Sequence, residues 1–127
     1  MSSITEAEDP HEQCHMKEHC LKYEVCPMGL VHNMISGKWK IVILWYLSYN
    51  TLRFSAIKKK LPNVTQKMLT QQLRGLEKDK LIHREVYAVI PPKVEYSLTE
   101  VGKNLIPILT MMHGFGAEYL NEGLDKK

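Results

Sequence analysis

Apolar residues at helical spacing organise residues 26–47. Residues 28–35 place four apolar side chains at helical intervals, and Pro27 suits the first helical position, where an N–H would have no intrahelical partner. Ser36-Gly37 ends this predicted helix. Residues 38–47 are apolar almost all round, which predicts the central buried helix of the fold.

The next pattern is a pair of helices separated by a tight turn. Residues 52–54 are a short strand candidate, and we expect Ser55 to cap a helix over residues 56–61. Thr65 is a good N-cap for a second helix over residues 66–79. That helix has an apolar face of Met68, Leu69, Leu73 and Leu76, opposite a polar-basic face of Lys67, Thr70, Gln71, Arg74 and Lys78. The pattern predicts a helix-turn-helix.

A β-hairpin is predicted directly after this motif. Residues 81–87 are rich in β-forming residues, and residues 93–98 alternate between apolar and polar positions. Pro91-Pro92 cannot belong to a central strand, so these prolines make the tip between the two strands long and stiff. A hairpin in this position is the wing of a winged helix-turn-helix.

The C-terminal pattern is one long helix that Thr99 caps and that Pro107 is expected to kink. Its main apolar stripe comprises Val101, Leu105, Ile108, Leu109, Met112 and Tyr119, and Ile106, Met111 and Phe115 lie beside that stripe. Because a monomer of this size cannot comfortably cover so much apolar surface, we expect a two-fold homodimer. The predicted fold class is α+β, mainly α: a winged helix-turn-helix with long terminal helices that form a dimer interface.

Composition and charge narrow the classes of function. The 127 residues suit one domain, and 44% apolar with 24% charged residues is a globular composition. Residues 1–36 carry two basic and six acidic residues, a net charge of −4; residues 37–98 carry twelve and four, +8; residues 99–127 carry three and four, −1. A basic centre between acidic flanks indicates a polyanion-binding module, nucleic acid above all, although a solvated basic surface has the same composition.

Other classes are disfavoured. The longest apolar run has seven residues, whereas a membrane span needs roughly 20. The first ten residues lack the basic and apolar regions of a secretory signal, so we expect a cytoplasmic protein without a membrane partner. No nucleophile triad, phosphate loop or carboxylate pair predicts an enzyme, and nothing predicts a cofactor. We divide the chain into a polar tail or short helix (1–25), a DNA-binding and dimerisation domain (26–122) and a C-terminal tail (123–127).

A long ordered series of motifs resembles one known family. It comprises Cys26-Pro27, Ile35-Ser36-Gly37-Lys38-Trp39, Leu52-Arg53-Phe54, the run 65–74, Leu76-Glu77, residues 91–96 and residues 98–102. Over roughly residues 26–116 the chain resembles HxlR-type transcription regulators, which are winged helix-turn-helix proteins related to the MarR type. The resemblance implies a homodimeric bacterial regulator that binds a double-stranded DNA operator, and we expect a repressor.

Candidate DNA-contacting residues lie on three elements. On the second motif helix, Gln and Arg side chains can bond base edges while Thr and Lys more often hold phosphate; these candidates are Gln66, Lys67, Thr70, Gln71 and Arg74. The wing offers Arg84 and Lys93 for phosphate, although Arg84 could instead pair with Glu95 across the hairpin. Arg53 and Lys58 precede the helix and are further phosphate candidates, although a run of lysines also simply solvates a helix.

Cys26 is the candidate switch. It is expected at a helix N-terminus, where unpaired N–H groups and the macrodipole stabilise a thiolate, the species that oxidants and electrophiles attack. In the family that the chain resembles, the cysteine before the first helix often senses such reagents, which implies a reactive small-molecule effector. A small buried core residue is the alternative.

The N-terminal cysteines and histidines leave several interpretations open. Cys14, Cys20 and Cys26 recur at six-residue intervals, and Cys14 and Cys20 could be resolving thiols that form a disulfide with Cys26. The same cysteines with His15 and His19 could instead hold zinc or copper in a metal-sensing regulator, but the tight Cys-x2-Cys spacing of many zinc sites is missing. A tail without either role is also compatible with these residues, and the winged helix could bind protein in place of DNA.

Overall fold

The computed structural model describes residues 25–123 of the chain. The chain divides into two compact units, residues 1–36 and residues 37–127. The predictions for Cys14, Cys20, His15 and His19 lie outside the described residues. The boundaries at residues 25 and 122 therefore remain predictions.

The described part of the first unit is helix α1 (Pro27–Ile35). Proline stands in its first turn, Cys26 is the N-cap residue and Ser36 is the C-cap residue, which confirms both predicted ends. The backbone N–H of Leu30 donates to the Cys26 carbonyl over 2.9 Å. The Cys26 side chain is buried, with 3% of its surface exposed.

The second unit contains four helices and three strands within the described residues. In chain order they are α2 (Lys40–Leu47), β1 (Leu52–Arg53), α3 (Phe54–Lys60), α4 (Gln66–Lys78), β2 (Ile82–Tyr87), β3 (Lys93–Leu98) and α5 (Glu100–Asn121). The strands form an antiparallel sheet in the order β1-β3-β2. The Ile90–Pro91 peptide at the hairpin tip is cis. The predicted fold class, a mainly helical winged helix-turn-helix, is confirmed.

The core lies where α2, α3 and α4 meet the base of the hairpin. Its most buried side chains are Ile43, Leu44, Ile57, Leu69, Leu73, Leu76, Leu81 and Ile82. Three of the four residues predicted for the apolar face of α4 are among them. Met68 is the exception, because it lies in the first turn, to one side of the line of buried leucines, and its thioether contacts the Gln72 amide on the surface. Met68, predicted for the apolar face, is therefore exposed.

Two of the three predicted caps are present. Thr65 Oγ1 accepts a hydrogen bond from the Met68 N–H over 3.0 Å, and Thr99 Oγ1 accepts one from the Gly102 N–H over 3.0 Å. The predicted cap at Ser55 is wrong, because β1 leads directly into α3. Ser55 therefore already lies in the first turn of that helix.

Helix α5 is anchored to the core along only part of its length. Leu105 and Leu109 are buried, and the His113 ring stacks on Trp45 of α2 with 5.4 Å between centroids. Pro107 lies inside the helix, as predicted. Most other large apolar residues of α5 are exposed, among them Met111 at 76% and Phe115 at 72%. Among residues 25–123, no helix combines the length and apolar character that a membrane crossing requires.

Candidate nucleic-acid interface

Helix α4 presents the predicted polar face to solvent. Its three buried leucines fix one side of the helix against the core, so the opposite side chains project outward. Gln66, Lys67, Gln71 and Arg74 are exposed, and Thr70 is half-buried. Within the described part of the chain, no hydrogen bond or ion pair ties down the ends of those four exposed side chains. Such side chains on a rigid helix are free to bond base edges and phosphates.

The back of α4 packs tightly on the segment that begins the second unit. A Cβ at Gly37 would collide with Gln72 Oε1, and a Cβ at Gly75 would lie 2.9 Å from the Lys40 amine. Both contacts involve the far ends of flexible side chains, so a side chain at either glycine would displace Gln72 or Lys40 from this position. Gln72 Oε1 is buried and accepts no hydrogen bond from any described residue. This contact was missed in the sequence; its only signal is the glycine of the Ser36-Gly37-Lys38 motif.

The root of the wing is pinned beside the end of α4. Lys80 connects α4 to β2 in the left-handed backbone region, with φ of 62°. Thr99 Oγ1 donates to the Lys80 carbonyl over 2.6 Å, and the Thr99 N–H donates to the Leu81 carbonyl over 3.1 Å. A Cβ at Gly102 would overlap that same Leu81 carbonyl. The hairpin therefore leaves the core in one direction, set by the start of α5.

One face of the wing carries two facing glutamates and the side chains that contact them. Glu85 and Glu95 are directly opposite across β2 and β3, an arrangement that destabilises a hairpin unless cations offset it. His83 Nε2 lies 2.8 Å from Glu85 Oε1. Lys93 Nζ lies 3.7 Å from Glu95 Oε2 and 4.5 Å from the centre of the Tyr87 ring. Lys93 is thus already engaged within the wing.

The same acidic group acts on Tyr87. The negative charge of Glu95 raises the pKa of the Tyr87 hydroxyl, and desolvation and a hydrogen bond to Glu95 act in the same direction. The phenol therefore stays protonated and neutral to higher pH than usual.

Arg84 lies on the other face of the hairpin. Its cross-strand neighbour is Tyr96, whereas Glu95 faces Glu85, so the alternative pairing of Arg84 with Glu95 is not the one that the register gives. Arg84 lines an open groove of about 450 Å³ that also contains Glu77 and Glu100. This groove is at the root of the wing, not at its tip.

Arg53 and Lys58 flank the motif from the N-terminal side. Arg53 is exposed and faces Glu95 in the β1–β3 register. Lys58 is half-buried, and its amine donates to the Pro62 carbonyl over 3.3 Å, which closes the turn between α3 and α4. An ammonium has three donors, so Lys58 retains donors for an anion.

The other two predicted sites are the thiol switch and the metal site. Cys26 is the one member of the predicted thiol set within residues 25–123. In that same range, no three His, Cys, Asp or Glu side chains are close enough to hold a metal ion. The metal-sensing alternative rests on residues that precede this range.

Comparison with known proteins identifies the family. Residues 34–124 match the HxlR-like helix-turn-helix family. The uncharacterised HTH-type transcriptional regulator YdeP of Bacillus subtilis (strain 168) is 47% identical over 104 residues, which is 82% of this chain and 80% of YdeP. The crystal structure of the HTH-type transcriptional regulator ytcD is 49% identical with a TM-score of 0.73, covering 75% of this chain and 97% of that one.

A third relative is a redox regulator. The redox regulator HypR in its reduced form is 42% identical with a TM-score of 0.74, covering 80% of this chain and 99% of HypR. The helix-turn-helix geometry, the wing and these matches agree with one another. They indicate DNA binding and regulation of transcription rather than catalysis. The chain is a member of the HxlR-like helix-turn-helix family of transcriptional regulators.

Proposed function

We propose that this chain is a homodimeric, sequence-specific repressor whose helix α4 reads the major groove of its operator. The observation that carries the proposal is the exposed polar face of α4 on a helix that the core holds rigidly. Gln71 and Arg74 would bond base edges, and Lys67 and Thr70 would position the helix on phosphates. Gln66 lies in the first turn, where it can reach either kind of partner.

The flanking cations have a supporting role in the proposal. Arg53, Lys58 and Arg84 would contact backbone phosphates on either side of α4, because each keeps donors directed to solvent. Lys93 is the weakest of the predicted phosphate ligands, since Glu95 and Tyr87 already engage its amine. The salt dependence of binding should therefore depend on α4 more than on the wing.

The dimer is supported by the exposed apolar face of α5. Ile108, Met111, Met112, Phe115, Tyr119 and Leu120 are all at least 40% exposed in the single chain. A contiguous face of this kind on a small protein marks an interface. A two-fold pairing through it would present two copies of α4 to half-sites roughly 34 Å apart.

The switch in the proposal is oxidation of Cys26. Its position at the N-cap of α1 and the likeness to the redox regulator HypR support this role. With diamide, two thiols would lose two electrons and two protons, one S–S bond would form, and diamide would be reduced to the hydrazine. The second thiol would come from Cys14 or Cys20 or from the partner subunit. Strain across the dimer would then change the spacing of the two α4 helices.

The experiment uses duplexes that the wild-type protein enriches from a random library. Wild type should bind them as a dimer and release them on diamide treatment, whereas Cys26→Ser should bind and stay bound, because serine is nearly isosteric and can cap the helix. Cys14→Ser and Cys20→Ser should each still release DNA, because the other tail cysteine or a cysteine of the partner subunit remains as the second thiol; at most the oxidation product should change. If Cys26→Ser releases DNA on oxidation and a tail variant does not, the sensor is one of the tail cysteines.

A further inference from the structure

Lys40, at the start of α2, passes between two glycines. Its Cγ lies 3.0 Å from the place that a Cβ at Gly37 would occupy, and its Nζ lies 2.9 Å from the place of a Cβ at Gly75 of α4. A side chain at either glycine would therefore displace the lysine. Lys40 is half-buried, so packing limits the positions that its amine can reach. The fold thus holds this amine against one flank of α4.

Gly75 preserves the position of the amine rather than the stability of the fold. It lies inside α4, where glycine is less favourable than every other residue except proline. The atoms that a Cβ would meet there belong to the end of the flexible lysine side chain, not to the backbone. An alanine would therefore be compatible with the fold, and only the Lys40 amine would have to move.

The Lys40 amine has no anionic partner within residues 25–123. The ion pairs in that range involve three other basic residues, His83, Lys93 and Lys103. Asp79 lies one turn beyond Gly75 on the same flank of α4, but it forms no ion pair with Lys40. A positive charge that the fold positions and leaves without a counterion favours an anion from outside the chain.

The place of the amine on α4 identifies the anion. Gly75 is half-buried and follows Arg74 by about 100° around the helix, so the amine lies between the exposed polar face and the buried face. A helix with its side chains is about 10–12 Å wide, and the DNA major groove is about 12 Å wide. The flanks of a helix in that groove therefore face the phosphates at its borders, whereas the polar face meets the base edges.

We propose that Lys40 is a further phosphate ligand, an amine that α2 delivers between the two glycines to the DNA backbone beside α4. This inference rests on the proposed function and adds a contact from outside the helix-turn-helix. Because Lys40 belongs to a helix of the core, a phosphate that it holds fixes the rotation of α4 in the groove. The sequence concealed this role, since residues 38–47 are otherwise apolar and are predicted as the buried helix.

The salt dependence of binding tests the charge. Lys40→Met keeps the length and the packing of the side chain and removes the amine. It should reduce the slope of log affinity against log salt concentration by about one, on duplexes that wild type enriches and on random duplexes alike. Lys38→Met is the matched control, because it removes an equal charge two residues away from an exposed lysine that lies over the Trp39 ring. Equal slopes for the two variants would overturn the proposal.

Gly75→Ala separates the position of the amine from the stability of the helix. Its urea unfolding midpoint should equal or exceed that of wild type, because alanine favours the helix. Its salt slope should nevertheless fall by about one, since the methyl group displaces the amine. The double variant Lys40→Met/Gly75→Ala should show no further loss of affinity. A further loss would mean that the methyl group itself obstructs DNA and that the amine is not the cause.

Neutral methylphosphonates locate the phosphate. At one position that borders the α4 site, this replacement should weaken binding by wild type and leave the affinity of Lys40→Met unchanged. If every replacement weakens both proteins alike, Lys40 contacts no phosphate. The role of α4 then stands, provided that Arg74→Ala still loses its preference for the enriched duplex. If wild type enriches no sequence at all, the proposed function fails together with this inference.

Discussion

Helix α4 and the wing are neighbours in sequence, yet they differ in how their polar side chains are paired and in what they expose to solvent. Helix α4 buries three leucines and leaves the polar ends of Gln66, Lys67, Gln71 and Arg74 without a hydrogen-bond or ion-pair partner among residues 25–123, so these groups are available to a ligand. In the wing, His83 lies within hydrogen-bond distance of Glu85, Lys93 pairs with Glu95, and the tip exposes aliphatic side chains. The difference is that α4 exposes unpaired hydrogen-bonding groups, whereas the wing exposes aliphatic side chains at its tip. Lys93 illustrates that a cation counted in the sequence can already be paired within the fold.

The largest difference between the two regions should be in stability. Leu73→Ala should lower the free energy of unfolding by about 2–5 kcal/mol, because it leaves a cavity under α4. Ile90→Ala removes a side chain that touches little of the fold and should change stability by less than about 0.5 kcal/mol. Urea unfolding followed by circular dichroism measures both. Similar losses for the two variants would show that the tip packs against the protein and is not a free protrusion.

The next difference concerns salt. Lys67→Ala should reduce the slope of log affinity against log salt concentration by about one, as expected when one phosphate contact is lost. Lys93→Ala should change the slope by clearly less, because Glu95 already neutralises that amine. Fluorescence anisotropy titrations at about 50 to 200 mM salt measure the slope for each variant. An equal change for both lysines would contradict the assignment of Lys93 to the wing's internal pairs.

The smallest effect is electrostatic and lies within the wing. Because Glu95 raises the pKa of Tyr87, the contribution of the protonated phenol to stability is complete below the usual tyrosine pKa of 10.0 and is lost as pH rises through the higher folded value. Glu95→Gln should therefore lower the Tyr87 pKa toward its ordinary value. Alkaline titration of ring-labelled tyrosine by NMR measures it, with Tyr119 on α5 as an internal control. An unchanged Tyr87 pKa would rule out Glu95 as the cause.

The sequence predicted most of the fold because its signals are local. Thr65 and Thr99 cap the helices that they precede, and the period of the leucines in α4 fixes which side is buried. Met68 and Ser55 were misassigned because burial and helix start depend on the neighbouring elements. The polar face of α4 was predictable for the same reason as its apolar face, since both follow from one helical period.

The rest of the site depends on contacts between distant residues. The contact of Lys93 with Tyr87 follows from the hairpin register, whereas Glu95 lies two residues along the same strand, on the same face as Lys93. Gly37 and Gln72 are in contact although they are 35 positions apart, and no local sequence pattern predicts this contact. The apolar tip is visible in the sequence as residues 86–92 without a charge, but only its exposure distinguishes it from a core strand.

The most direct test of the central claim, that α4 reads bases, is to repeat the duplex selection with Arg74→Ala and compare the enriched sequences with those of wild type. The account predicts that Arg74→Ala loses preference at one or two adjacent base pairs and keeps it elsewhere, with a discrimination loss of about 1–3 kcal/mol at those positions. Enrichment of the same sequence, with the same preference at every position, would contradict base reading by this side chain and by the face of α4 to which it belongs.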